Sequence, residues 1–429
     1  MLTFVSDNGS RSCDGSSRRD FLRVGSLGMA GLTLPNLLRA RAEANQRGTS
    51  VRNKSVIWIW LSGGPTHVET FDPKMTAPVE YRSITGEAKT PIPGVTVGGT
   101  FPEIAKVADK MSLVRSFAHG NSSHGTATTW VMTGYNDRMM MKPALGSIVA
   151  RAQGTTDPHT GMPTYVRMGN IRSDGPGWLG TSYSAFDPAG QARKNMRVAL
   201  PEDRVQDRRG LLGNLDKIRR DVDRKGGKME GMDGFERQAF ELILGSSQDA
   251  FDVNQEDRKV RDRYGKGLGE SLLKARRLAE AGCSFITVNY GGWDMHGGIV
   301  KGLKTRATQV DQGVSSLISD LDERGMLDDT LVVITGEFGR TPRINKKAGR
   351  DHWGRLCTLA LAGGGLKMGQ VIGESSRKIE VPASTPIRPQ DLMATVLTMY
   401  GLDYRLQFPD NGGRPTYMLE EGTPIAELV

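Results

Sequence analysis

The sequence predicts an α/β fold: a central, mostly parallel sheet with helices on both faces and one charged helical insertion. Short apolar runs closed by glycine alternate with amphipathic segments of helical period, the order expected of βαβ units. The 54 glycines in 429 residues suit many tight strand-to-loop turns. A composition of 37% hydrophobic and 24% charged residues is that of a globular chain able to bury a large core.

The first segment, SRRDFLRVGSLGMAGLTLPNLLRARA, sets Arg18 and Arg19 ahead of Phe21-Leu22 and a short apolar run from Val24 to Leu34. This is the pattern of a twin-arginine export signal, with Ala40 and Ala42 as small residues for a peptidase. The run is too short to cross a bilayer. The expectation is therefore a signal at 1–42, a polar linker at 43–54 and a single domain at 55–429. The mature chain is expected to be periplasmic or secreted, without a transmembrane span, and to meet the twin-arginine export machinery.

Within the domain, SVIWIWLSGG reads as a buried parallel strand feeding a loop. KMSLVRSFAHGNSSHGTATTWVMTG reads as strand, polar loop and helix, the helix starting near Gly125. About residues 186–260 form the insertion, dense in both charges, which reads as a solvated helical surface. GESLLKARRLAEAGCSFITVNY places Leu272, Leu273, Ala275, Leu278 and Ala279 on a helical period, stops at Gly282 and continues as a strand. ATQVDQGVSSLISDLDERGMLDDT is the next helix, followed by the strand LVVITG. LCTLALAGGG is a further strand, and RPQDLMATVLTMYGLD a helix with Pro389 near its start.

The formal charge of +9 becomes modest once the expected signal is removed; it can attract anionic substrates, but the bases are scattered among acids and form no nucleic-acid stripe. Of three cysteines, Cys283 and Cys357 lie in apolar runs, and no CxxC motif exists, so buried thiols are expected and a disulfide framework is not.

Polar residues gather where these strands end. His67, His124, His296 and His352, four of only six histidines, fall in loops after strands or in glycine-rich turns. In a doubly wound sheet, loops beyond the carboxyl ends of parallel strands converge. Asp294 and His296, one residue apart in GGWDMHGG, combine carboxylate and imidazole, a donor set for zinc, manganese or iron. Glu337 reads as a metal ligand or a salt-bridge partner of Arg340, whose planar fork suits ester oxygens. Ser122, Ser123 and Thr126 beside His124 read as helix caps or as an oxyanion cradle with an adjacent nucleophile.

LSGGPTHVETFDPK, ARRLAEAGCSFITVNYGGWDMH, TLVVITGEFGRTPRIN and GRDHW, together with the leader, resemble the secreted bacterial family catalogued as domain of unknown function fifteen-oh-one. That family is similar to the alkaline phosphatase-like superfamily, which includes sulfatases and cofactor-independent phosphoglycerate mutases. The resemblance implies an alkaline phosphatase-like fold with a divalent-metal centre, zinc first, and manganese, calcium or magnesium as alternatives. It implies an exported metal-dependent hydrolase of phosphate or sulfate esters, with an anionic small molecule or a glycan ester as substrate. Asp294, His296, Glu337 and His352 are the implied ligands, with His67, Glu69 or Asp72 from the first loop. His124, Ser123 and Arg340 are the implied catalytic set. Three departures bear on this. No Cys-x-Pro-Ser-Arg sequence is present to form formylglycine, Phe338 stands where a metal-binding histidine is usual, and Gly63-Gly64 replaces an aspartate pair, which favours one metal over two. A non-catalytic binding or assembly protein keeping the fold is the alternative expectation; a metal-dependent mutase or phosphotransferase is a weaker one.

Overall fold

The computed structural model describes residues 54–136, 141–157, 159–189 and 246–429. The expected signal, all but the last residue of the linker, and residues 190–245 of the insertion lie outside the described residues.

The strands are β1 (Ser55–Trp60), β2 (Glu87–Lys89), β3 (Thr96–Gly98), β4 (Met111–Val114), β5 (Tyr165–Met168), β6 (Phe285–Asn289), β7 (Thr330–Thr335), β8 (Gly339–Arg340), β9 (His352–Trp353), β10 (Leu359–Gly363), β11 (Gln370–Ile372), β12 (Gln407–Pro409) and β13 (Pro415–Tyr417). The α-helices are α1 (Pro102–Lys106), α2 (His124–Thr133), α3 (Leu145–Gln153), α4 (Arg258–Tyr264), α5 (Leu268–Glu280), α6 (Ile299–Glu323) and α7 (Pro389–Met399). Seven strands form the main sheet in the order β11-β4-β10-β7-β1-β6-β5. β10 is antiparallel to both of its neighbours, and every other pairing in the sheet is parallel.

β1 lies between β6 and β7, and all six of its residues are buried. Its side chains alternate between two cores, as the two-residue period of a strand requires. Ile57 and Ile59 join the core under α5 and α6, whereas Val56, Trp58 and Trp60 join the one under α2, α3 and α7. A strand covered on both faces has no polar side, which is why SVIWIW reads as one continuous apolar run.

Three elements differ from the sequence expectation. α6 begins at Ile299, eight residues before Ala307. Ile299 and Leu303 continue the buried row of Ala307, Val310, Val314, Leu317 and Leu321, but Gly302 and the intervening Lys301, Lys304 and Arg306 break up that apolar signal. The short strands β5 and β11 extend the sheet at its two edges and were not anticipated, because three or four residues carry too little periodicity to read.

The described end of the insertion docks on α5: Arg277 donates through Nη2 to the Asp249 carbonyl at 2.6 Å and through Nη1 to Glu256 at 2.7 Å. The fully buried Arg276 on the same helix pairs with Glu256 at 2.7 Å and Asp320 at 3.0 Å. Such a buried guanidinium is tolerated only because three acids, Glu256, Asp320 and Glu280, meet it.

Candidate metal centre

The parallel strands β1, β4, β6 and β7 share a carboxyl edge, and the loops that leave it carry the candidate residues. β6 leads into Asp294 and His296, β7 into Glu337, and β4 into the segment ending at Ser123 and His124, the start of α2. The hairpin of β8 and β9 pairs Arg340 with His352 in register, which sets those side chains next to each other.

Three imidazoles are fixed in the same way. His124 Nδ1 donates to Glu337 Oε1 at 2.7 Å, His296 Nδ1 to Asp351 Oδ1 at 2.8 Å, and His352 Nδ1 to the Ser122 carbonyl at 3.0 Å. Each outside acceptor holds the proton on Nδ1 and leaves the Nε2 lone pair free, the arrangement that orients histidines as metal ligands. The Nε2 atoms converge on Asp294. His296 and His352 approach its Oδ1 at 3.0 and 3.1 Å, and His124 approaches its Oδ2 at 3.5 Å.

His296 Nε2 and His352 Nε2 lie 3.0 Å apart. With both Nδ1 protons already committed, two lone pairs face each other there, and only a proton or a cation between them relieves the repulsion. Donor atoms of His124, Asp294 and His352 all lie within 4.8 Å of one another. Three imidazoles and one carboxylate suit zinc, and manganese next. Calcium and magnesium take oxygen ligands and fit this set poorly.

The electrostatics agree with the geometry. Desolvation opposes the charge on Asp294, but the hydrogen bond and charge of Arg340 oppose it in turn, and the carboxyl is held at about 2. The Glu337 hydrogen bond raises the pKa of His124, while burial lowers that of His352 and so favours its neutral, ligating form.

Arg340 is buried and its donors are engaged. Nε donates to the Gly64 carbonyl at 2.9 Å, Nη1 to the Arg350 carbonyl at 3.1 Å and toward His296 Nε2 at 3.5 Å, and Nη2 to the Gly63 carbonyl and to Asp294. The fork expected to face ester oxygens instead ties the loop after β1 to Asp294. Gly63 has φ +112°, and a β-carbon there would strike the backbone of Trp293 and Asp294; one on Gly64 would strike the Phe338 ring. The two glycines are thus what lets the loops close around the guanidinium. Phe338 packs its ring against His124 and His352, with centroids 4.8 and 4.6 Å apart.

The first-loop candidates lie elsewhere. Glu69 is buried in an ion pair with Arg350 at 2.5 Å and accepts from Ser83 Oγ at 2.6 Å and Thr85 Oγ1 at 2.8 Å. His67 Nε2 donates to the Ile379 carbonyl at 3.2 Å, and burial lowers its pKa to about 4. Asp72 lies 3.5 Å from Arg115. None of the three joins the group around Asp294. Glu337 is nearly fully buried; its Oε1 accepts from the Gly63 amide at 2.8 Å as well as from His124, and its Oε2 has no partner among the described residues. Ser123 is exposed at the N-cap of α2, and its side chain makes no capping bond.

His119 carried no signal in the sequence. Its Nδ1 accepts the Asn121 amide at 3.1 Å, so its Nε2 must donate to the Glu337 carbonyl at 2.7 Å, and burial lowers its pKa to about 4. It is a neutral clamp on the Glu337 backbone. Asp351, beside His352 in GRDHW, orients His296.

Fold and site together define an α/β protein with, among the described residues, a candidate metal centre on the carboxyl edge of its sheet. The chain belongs to the family described as Protein of unknown function (DUF1501), whose profile matches residues 53–429. No curated protein matches the chain. Among solved structures it is similar to the PsFucS1 sulfatase from Pseudoalteromonas sp., with 13% identity over 86% of this chain and 72% of that one, at a TM-score of 0.41. The phosphonate monoester hydrolase SpPMH from Silicibacter pomeroyi is similar at 12% identity over 81% of this chain and 73% of that one, TM-score 0.34. The lipoteichoic acid synthase LtaP from Listeria monocytogenes is similar at 10% identity over 82% and 72%, TM-score 0.36. No described helix is long and apolar enough to cross a membrane.

Proposed function

We propose that this protein is an exported, metal-dependent hydrolase of phosphate or sulfate esters with a single divalent ion, zinc first. The observation that carries the reading is the 3.0 Å approach of His296 Nε2 to His352 Nε2 beside Asp294, with each ring anchored through Nδ1. Asp294, His296, His352 and His124 would hold the ion. When bound, it supplies Lewis-acid polarisation of the ester and lowers the pKa of the attacking oxygen. Asp351, Glu337 and the Ser122 carbonyl keep the three rings in their ligating tautomers. Arg340 is a positioning residue that holds Asp294 ionised and in place. The amides at the start of α2, which the Ser123 side chain does not cap, would receive a negatively charged ester group, and the Ser123 hydroxyl is the candidate nucleophile. His124, expected as a catalytic residue, is reassigned here as a ligand because its free Nε2 faces Asp294.

Protein purified without chelators should contain about one divalent ion per chain and hydrolyse an aryl phosphate or aryl sulfate. Asp294→Ala should lose both metal and turnover. Sub-stoichiometric metal, with no turnover across added zinc and manganese, would favour the non-catalytic binding role instead.

A further inference from the structure

The segments that carry the candidate ligands are strongly basic. Residues 290–308 contain Lys301, Lys304 and Arg306, with Asp294 as their only acid; residues 339–358 contain Arg340, Arg343, Lys346, Lys347, Arg350 and Arg355, with Asp351 as their only acid. Arg340 and Arg350 are buried in the contacts already described, and both acids are committed to the site. The other cations make no ion pair among the described residues.

Three of them flank the ligands in packing, Arg306 and Arg355 through their guanidiniums and Lys347 through its backbone and β-carbon. Arg306 packs on Gly292, two residues before Asp294, with its guanidinium 5.3 Å over the Tyr290 ring. Lys347 lies against Gly297, the neighbour of His296, and its carbonyl accepts the Gly298 amide at 3.0 Å. Arg355 stacks 5.7 Å over Trp353, the neighbour of His352. The backbone carbonyl of Glu380 accepts Trp353 Nε1 at 2.7 Å, and among the described residues no ion pair joins Glu380 to Arg355. Unpaired cations repel one another, and crowding them around one centre lowers stability unless a negatively charged partner arrives.

From this placement, and resting on the ester-hydrolase reading above, we propose that the substrate is a polyanionic saccharide: beside the scissile ester it carries further sulfate or phosphate groups, which Arg306, Lys347 and Arg355 receive. A neutral glycan with one ester would leave the collar unused. A nucleic acid fits less well, because single strands bind by stacking bases on exposed aromatic faces. Here Trp353 and Tyr290 already carry arginines.

The test uses the full mature, metal-loaded protein with dextran sulfate as probe, and unsulfated dextran and single-stranded DNA as controls. Dextran sulfate should bind with an affinity that falls steeply as salt rises, and dextran should not bind. The triple variant R306Q/K347Q/R355Q should keep its metal content and bind dextran sulfate about tenfold more weakly, while Arg405→Gln, far along the chain, should change nothing. On the enzyme, the triple variant should lower kcat/KM for a multiply sulfated oligosaccharide relative to that for an aryl monoester, chiefly through KM. Unchanged binding by the triple variant, or equal binding of dextran, overturns the proposal, and so does DNA binding as tight as that of dextran sulfate. Absence of all hydrolysis would instead defeat the ester-hydrolase reading, since the binding measurements need no turnover.

Discussion

Arg340 shows how far one side chain's role depends on partners a sequence does not display. Its planar fork suggested a hand for ester oxygens, yet the acceptors that engage it are the carbonyls of Gly63, Gly64 and Arg350 and the carboxylate of Asp294. Arg340→Lys keeps the charge but loses the fork, so Asp294 should be held less firmly. Metal affinity should drop by about 10–100-fold, the usual cost of losing a partner of a ligand, as read by competitive metal titration. The titration of His124 makes a second point. Its pKa is raised above the ordinary 6.5, and a ligand must shed its proton to bind metal. Metal affinity should therefore begin to fall while the pH is still above 6.5. Glu337→Gln, which removes the raising carboxylate, should move that midpoint down.

Glu69 and Arg350, both fully buried, are paired across the long span between the first loop and the β8–β9 hairpin. Glu69→Gln leaves a buried guanidinium without its counter-charge and should cost about 3–5 kcal/mol in denaturant unfolding at neutral pH. Burial resists ionisation of Glu69, but the charge of Arg350 and the hydrogen bonds from Ser83, Arg350 and Thr85 prevail and lower its pKa. A lowered carboxyl contributes stability that is fully present above its unfolded value and is lost as pH falls through its folded one. The gap between the wild type and Glu69→Gln should thus be constant above about 4.5 and close below it. A constant gap at acid pH would show that the pair is not the cause.

At the scale of elements, the central strands and the site loops were legible because burial on both faces turns a strand into an unbroken apolar run that ends visibly. β1, β6 and β7 were read this way, and so was the gathering of Asp294, His296 and His352 behind them. His119 and the first-loop residues were misjudged for one physical reason. Whether a histidine or an acid serves a metal or a local clamp is decided by which loop packs beside it, and the neighbours of Glu69 and His67 come from near residues 350 and 379. The tight passage of the β1 loop offers a test of element packing. Gly64→Ala places a β-carbon against Phe338 at a φ of +78°, which side chains resist. The melting temperature should fall, and metal affinity with it, because the displaced ring leans on His124 and His352.

Across the whole molecule, Cys283 and Cys357 are free and buried, as their apolar surroundings suggested. Burial pushes the Cys357 thiol up to about 12 and raises that of Cys283 as well. Labelling of these two sites by a thiol reagent should track global unfolding under native conditions. Fast labelling of either would reveal local opening of the sheet.

The reversed direction of β10 settles where the most useful part of this chain can go. Because Leu359 pairs with Thr335 across neighbouring strands, the excursion between them departs from and returns to one rim, and no crossover has to carry it to the far side. Glu337, Arg340, Asp351 and His352 all ride on that single detour. Its length and cargo can be rewritten in evolution or by grafting while the threading of the barrelless slab beneath stays as it is.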